Sequence, residues 1–211
     1  MKLKWTLLFA IFFIQWNSLI AQAPSDTSFT DSRDGKKYKI VQIGAQTWMA
    51  ENLSYVASNE CYFYENATFN GSKYGMLYGW KIANQVCPCG WHLPTNNEWE
   101  TLAQNISQLK GPFAKDSLTW ESVGKILKSD EGWPYNTNGT NDFGFSALPA
   151  GYRFAQGVYY SQNFSAYFWT ADTLDDGNAI YRYINGGSNC LFTDNDMKIR
   201  AFSVRCIYRT K

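Results

Sequence analysis

A single histidine, His92, stands three positions after Cys89 in a chain of 211 residues. A thiol and an imidazole at that spacing are the parts of a nucleophile and its base. With one imidazole available, multi-histidine metal centres are excluded, and any Ser/His/Asp triad would have to use His92. Cys89 belongs to a set of five cysteines, Cys61, Cys87, Cys89, Cys190 and Cys206, and an odd count leaves at least one thiol over if the rest pair. The expected role of His92 is packing or helix entry rather than catalysis.

Two acidic clusters follow, Asp172 with Asp175 and Asp176, and Asp194 with Asn195 and Asp196. Hard oxygen ligands of this kind suit Ca²⁺. Neither cluster has the D-x-D-x-D-G spacing of a calcium loop, so Asx-type turns are their expected role. A third grouping lies in residues 129–145, rich in Gly, Asn and Asp and without periodicity, and irregular stretches of that length are commonly functional. Trp133 and Tyr135 offer flat rings there, and Asn136, Asn138, Asn141 and Asp142 offer short hydrogen-bonding groups. Rings can cover the apolar face of a sugar while amides and carboxylates bond its hydroxyls. These six residues are the candidate ligand-binding set. The competing expectation is that Trp133 and Tyr135 pin the loop to the core.

Elements that could position these groups can be read locally. Thr95-Asn-Asn-Glu98 is a capping box, and Trp99, Leu102, Ala103, Ile106 and Leu109 then recur at helical spacing, predicting a helix over about 96–109. Trp80, Ala83 and Cys87 predict a first helix over Tyr78–Val86, stopped by Pro88 and Gly90. A short third helix is predicted over Trp120–Lys128. Lys37 to Gly44, after the turn pair Asp34-Gly35, reads as an early strand. The C-terminal third reads as strands at Ala147–Arg153, Ala166–Thr170, Ala179–Ile184 and Phe202–Tyr208. In the last, Phe202, Val204, Cys206 and Tyr208 should face one way and Ser203, Arg205 and Arg209 the other. Two main helices and a strand-rich second half predict an α+β fold.

The N-terminus sets the compartment. Lys2 and Lys4 precede an apolar run from Trp5 to Ile14, the order of a secretory signal, with cleavage expected after Ala21. The run is shorter than the roughly 20 residues a membrane helix needs, and no later segment predicts a span in the mature chain. The expected division is a signal peptide at 1–21, a flexible leader at 22–30 and one domain at 31–211. With no cysteine at the cut, a lipid anchor is not expected. The chain should be secreted or held at the cell surface, where paired cysteines are the default. A formal charge of +1 gives no electrostatic reason to bind nucleic acid. An aromatic fraction of 18%, with nine Trp, fourteen Tyr and fourteen Phe, leaves rings for a binding face beyond those a core would use.

Ordered motifs extend over most of the chain. Asp31-x-Arg33-Asp34-Gly35, Gln46-x-Trp48-Met49-Ala50-Glu51-Asn52-Leu53, Tyr74-Gly75-x-Leu77-Tyr78-x-Trp80 and Cys87-Pro88-x-Gly90-Trp91-His92-Leu93-Pro94-Thr95 form the first half. Gly144-Phe145-Ser146-Ala147-Leu148-Pro149-Ala150-Gly151-Tyr152-Arg153, Phe168-Trp169 and Ser203-Val204-Arg205-Cys206 form the second. Together they closely resemble the Fibrobacter succinogenes major paralogous domain family. More distantly, Trp80, Ala83, Cys87, Gly90, Leu93 and Glu98 resemble the helical region of C-type-lectin-like domains. That likeness implies a disulfide from Cys87 on the first helix to Cys206 on the final strand, and ligands carried on long loops. Cys89 and Cys190 depart from the family pattern; they are paired with each other, Cys61 is left unassigned, and Cys61 with Cys89 is the rival. Formylglycine-generating enzymes, similar in fold to C-type lectins, bind copper through nearby C-terminal cysteines, a pattern that Cys190 and Cys206 fit poorly. The resulting expectation is an exported, non-catalytic recognition or adhesion module whose partner is a polysaccharide or cell-surface component. The alternative is a structural envelope or matrix protein without a small ligand, and an oxidase-like enzyme stands third.

Overall fold

The computed structural model describes residues 27–57 and 60–209. The expected signal peptide at 1–21, and the expected leader as far as residue 26, lie outside the described residues. The chain runs β1 (Ser28–Thr30), β2 (Lys37–Ile43), β3 (Gln46–Met49), β4 (Cys61–Tyr62), α1 (Thr68–Tyr74), β5 (Leu77–Gly79), α2 (Trp80–Ala83), β6 (Trp91–His92), α3 (Asn96–Lys110), β7 (Thr119–Trp120), α4 (Val123–Leu127), β8 (Ala150–Arg153), β9 (Tyr159–Gln162), β10 (Ser165–Thr173), β11 (Asn178–Asn185), β12 (Leu191–Met197), β13 (Ala201–Ser203) and β14 (Ile207–Tyr208). Strands outweigh helices and nearly all strand pairs are antiparallel, which places the fold in the α+β or β-rich class.

A five-stranded sheet has the order β1-β2-β3-β14-β6, and a nine-stranded sheet the order β4-β5-β13-β8-β10-β11-β12-β7 with β9 added beside β8. The strands at the ends of these orders are two or three residues long, which limits unpaired backbone open to edge-to-edge association. In β2 the expected alternation holds: Tyr38, Ile40 and Ile43 are buried while Lys37, Lys39 and Gln42 face solvent. Gly44 then turns the chain into β3 with φ 61°, and a side chain there would run into Asn105. Residues 28–30, expected to be flexible, instead pair with β2 as β1, and Phe29 packs on Trp91 at 5.2 Å between ring centroids.

Helix α3 starts on the predicted capping box: the Glu98 amide donates to Thr95 Oγ1 and the Thr95 amide to Glu98 Oε2. It buries Trp99, Leu102, Ala103 and Ile106. Leu109 falls outside the stripe and is 60% exposed. Trp99 meets Trp48 at 4.9 Å, Phe168 at 5.4 Å and Phe145 at 5.9 Å, an aromatic centre joining the helix to both sheets. A second core gathers Tyr38, Met49, Tyr78, Trp169, Phe202 and Cys206.

Several expected elements are revised. The predicted helix over Tyr78–Val86 is strand β5 followed by only four helical residues in α2, because Tyr78 and Gly79 pair with Phe202 and Ala201 of β13. Among the described residues only α3 is a long helix. The third helix begins at Val123, since Ser122 is left-handed with φ 60° and Trp120 is held in β7 opposite Leu191. Strand 202–208 is cut in two: β13 belongs to the large sheet and β14 to the small one. The residues between them cross from sheet to sheet, and the carbonyls of Val204 and Cys206 accept from the amides of Leu53 and Met49. Ser203 and Arg205, expected on an open face, are therefore both 1% exposed.

Candidate functional site

The 129–145 segment is irregular, as its composition predicts, but most of its proposed ligand groups are already engaged. Trp133 is 5% exposed and its Nε1 donates to the carbonyl of Ala147 at 2.9 Å, so the ring pins the loop and is not presented to a ligand. Asn138 Oδ1 accepts from the Trp133 amide. Asn141 holds Ser146 through both its amide oxygen and its nitrogen. Asp142 pairs with Lys110 at 2.8 Å. Tyr135 is 91% exposed, and Asn136 beside it borders a shallow hollow shared with Thr137, Gly186 and Asn189. Of the six predicted residues, only these two are open to solvent and have no side-chain bond among the described residues.

A different arrangement of rings lies on the nine-stranded sheet. Directly opposed positions on neighbouring strands place Tyr160 beside Tyr152, Tyr167 beside Tyr183, and Tyr183 beside Phe192. Their centroids are 5.6, 5.9 and 4.7 Å apart with near-parallel planes. Tyr152 and Tyr167, on the parallel pair β8 and β10, meet edge to face at 5.0 Å. The five rings thus form one row across β9, β8, β10, β11 and β12. At about 4.8 Å per strand, four spacings give a row about 19 Å long. Beside it on the same sheet face, Phe202 stacks on Tyr167 at 5.3 Å and meets Trp169 at 4.2 Å, and Trp169 Nε1 donates to the carbonyl of Tyr78. These two rings are buried; those of the row are less so. Tyr160 is 46% exposed and the other four rings are partly so.

Polar groups border these rings. Tyr181 donates to Asp194 Oδ2 at 3.4 Å, and burial raises its phenol far above the ordinary value. The Arg200 guanidinium lies 4.4 Å from the Phe154 centroid and 5.5 Å from that of Tyr152, and pairs with Asp196 at 2.7 Å. Burial lifts the Asp196 carboxyl above the usual value despite that partner. Asp194 and Asp196, two residues apart on β12, share the face that carries Tyr181 and the row, and they lie opposite Tyr181 and Ala179. Alternation along a strand produces this placement. Asp175 instead accepts from Gly177 and Asn178, a turn. Asp172 accepts from the Asn96 amide at the start of α3. Among the described residues no group of three or more His, Cys, Asp or Glu side chains is placed to hold a metal ion.

The profile of the Fibrobacter succinogenes major domain matches residues 41–208, most of the chain and all but the first of its sheet strands in full or in part. The chain belongs to this family. No curated protein and no solved structure matches it. In this Fibrobacter succinogenes major domain, Cys87 is bonded to Cys206, as the distant likeness implied, and the link ties the segment after α2 to the start of β14. The pairing of Cys89 with Cys190 is not formed, nor is that of Cys61 with Cys89; all three are free thiols. Cys89 is exposed at the five-stranded sheet beside Gly90 and Trp91, whereas Cys190 leads into β12 of the other sheet, where its carbonyl lies against Gly124. Cys61 donates to the Ala57 carbonyl, and burial raises its thiol pKa above the ordinary value.

His92 also takes a structural position in the family motif. Its Nε2 lies 2.7 Å from Glu98 Oε1, so the ring braces the carboxylate that caps α3. Burial acts to raise Glu98, but the bonds from His92 and Thr95 outweigh it and hold its pKa below the ordinary value. Cys89 is not among the partners of His92, so no thiol–imidazole pair is assembled.

Proposed function

We propose that this domain is an exported, non-catalytic recognition or adhesion module on a C-type-lectin-like α+β fold, and that it binds an extended neutral polysaccharide along the aromatic row of its large sheet. The observation that carries this reading is the row itself: five rings on consecutive strands, one nearly half exposed and four partly buried, brought together by the strand register. Core rings are enclosed on every side; these rings stack on one another along the row and keep their outer edges in water. The ring edges supply apolar contact, the Tyr hydroxyls donate to and accept from sugar hydroxyls, and the carboxylates of Asp194 and Asp196 accept from them. Those carboxylates also argue against an acidic polymer. The disulfide from Cys87 to Cys206 supports the lectin-like reading, and it suits the oxidising surroundings that the N-terminal signal implies.

A glycan screen on the mature domain tests the proposal. Covering roughly 50 Å² of one ring contributes about 1.2 kcal/mol at 25 cal/mol per Å², which is about eightfold in affinity. Tyr160→Ala and Tyr183→Ala should each weaken binding by about that factor, whereas Tyr135→Ala should leave it unchanged. Loss on Tyr135→Ala alone would return the site to the 129–145 loop. Absence of binding to any glycan, with and without Ca²⁺, would favour a structural envelope or matrix role.

A further inference from the structure

Arg205 is 1% exposed, yet no carboxylate is hydrogen-bonded to it among the described residues. Its Nε and Nη2 donate to Asn52 Oδ1, at 3.0 and 2.6 Å, and its Nη1 donates to the carbonyls of Phe145 and Met49. All of these acceptors are neutral. Nη2 carries a second hydrogen for which no acceptor is present among the described residues. The guanidinium also lies 4.6 Å from the Phe145 ring centroid. Dipoles and a ring face soften the cost of burying a cation, but they supply no opposite charge. The lowered pKa of this arginine, about 9, has burial as its main cause.

Arg205 is also part of the wall of a pocket of about 290 Å³. Asn52 and Ser146 line it too, and Lys36, Lys39 and Lys73 stand around it. Three acidic residues border the same space, Glu51, Asp130 and Glu131, so the lining carries four cationic groups against three acidic ones. Glu51 is engaged in accepting from the Lys39 amide, and all three acids are solvent-exposed. The cation that water does not reach is the one without a hydrogen-bonded counter-charge: Glu51 acts on Arg205 only at a distance, from an exposed position, and does not offset its burial. A pocket of this size is at the low end for small-molecule sites.

We propose that this pocket binds a small oxyanion, a carboxylate or phosphate group, that neutralises Arg205 from the solvent side with the lysines around the pocket. The site shares no residue with the aromatic row and does not depend on the polysaccharide reading. An external anion does what a resident carboxylate would do, while leaving the pocket free to exchange its ligand.

Titration of the mature protein with sodium phosphate and, separately, sodium acetate at constant ionic strength tests this. Calorimetry and the Arg205 Nε–H resonance are the readouts. Saturable one-site binding with a shift of that resonance is expected for at least one anion, and the tighter of the two identifies the ligand class. Arg205→Gln removes three of the bonds that join distant segments and is expected to unfold the protein, so the informative variant is Lys39→Gln with Lys73→Gln. Both lysines are exposed, and their removal should leave unliganded stability intact while weakening the anion about fivefold or more. Non-saturable binding of both anions would overturn the proposal, as would equal affinity in the native protein and the double variant.

Discussion

Replacing Cys87 and Cys206 together by alanine removes a link between residues 119 positions apart. In the loop-entropy description, a closed loop of this length constrains the unfolded chain by about 5 kcal/mol at 25 °C, and measured values usually fall at about 2–4 kcal/mol. Part of the native structure that the link spans survives without it: the Met49 amide still donates to the Cys206 carbonyl, and β14 still pairs with β3 and β6. The predicted loss is therefore about 3–4 kcal/mol, a large share of the total for a domain stable by about 5–15 kcal/mol. Urea unfolding followed by tryptophan fluorescence gives the measurement, with the native and variant proteins compared in the same buffer. The midpoint should fall and the urea slope should rise, because an unlinked unfolded chain exposes more surface. A loss under 1 kcal/mol with an unchanged slope would refute the argument, and so would peptide mapping that joins Cys87 to any residue but Cys206.

Three further outcomes follow from named contacts. Trp133→Ala should cost about 3–5 kcal/mol, because a buried indole and its bond to Ala147 are lost together. Tyr135→Ala, at an exposed site two residues on, should change stability by less than about 0.5 kcal/mol in the same assay. Asp31 is fully buried and accepts from the Arg33 amide, Nε and Nη2. Burial alone would raise its carboxyl, but those bonds and the Arg33 charge hold it below the ordinary value of 3.8. Its contribution is complete above that value and is lost as pH falls through the lowered folded pKa. Urea midpoints of the native protein and Asp31→Asn should therefore differ at pH 6 and converge in the range of about pH 2–3. A gap that persists undiminished at the acid end would contradict the assignment.

What could be read from the sequence was what is written in contiguous residues. The capping box and the stripe Trp99, Leu102, Ala103 and Ile106 lie within one helix, and both stand as read. Tyr38, Ile40 and Ile43 likewise declare the inward face of β2. The short elements were misread where tertiary pairing overruled local pattern, as when β13 drew Tyr78 and Gly79 into a strand. Arg205 was misplaced for a related reason. Alternation assigns it to the polar side of a strand, but that strand changes sheets at Val204 to Cys206, so both sides are interior. Asn52, Met49 and Phe145, which receive its hydrogen bonds, are 153, 156 and 60 residues away along the chain. The aromatic row was hidden in the same way. Tyr152, Tyr160, Tyr167, Tyr183 and Phe192 have no common local spacing, and only the strand register makes them neighbours. The loop at 129–145 announced itself by composition, but composition does not distinguish a ring that holds a loop down from a ring that a loop holds out.

The same distinction separates stability from recognition on the large sheet. If the row existed only to support the fold, its outer members should behave like core rings, and truncating them should cost several kcal/mol. Tyr160 is nearly half exposed, and one of its faces already meets Tyr152 and Phe154. Roughly half of the usual aromatic burial is thus all that Tyr160→Ala can remove, about 1–2 kcal/mol. Phe202 and Trp169, beside the row on the same face, are close to fully buried, and truncating either should cost about 3–5 kcal/mol. A threonine at position 160 keeps a residue suited to strand β9 while deleting the ring. Tyr160→Thr should therefore melt within a few degrees of the native protein and still lose glycan affinity. If Tyr160→Thr instead destabilised the domain as severely as Phe202→Ala, the row would be a core that happens to lie near the surface, and the case for a binding face would fall with it.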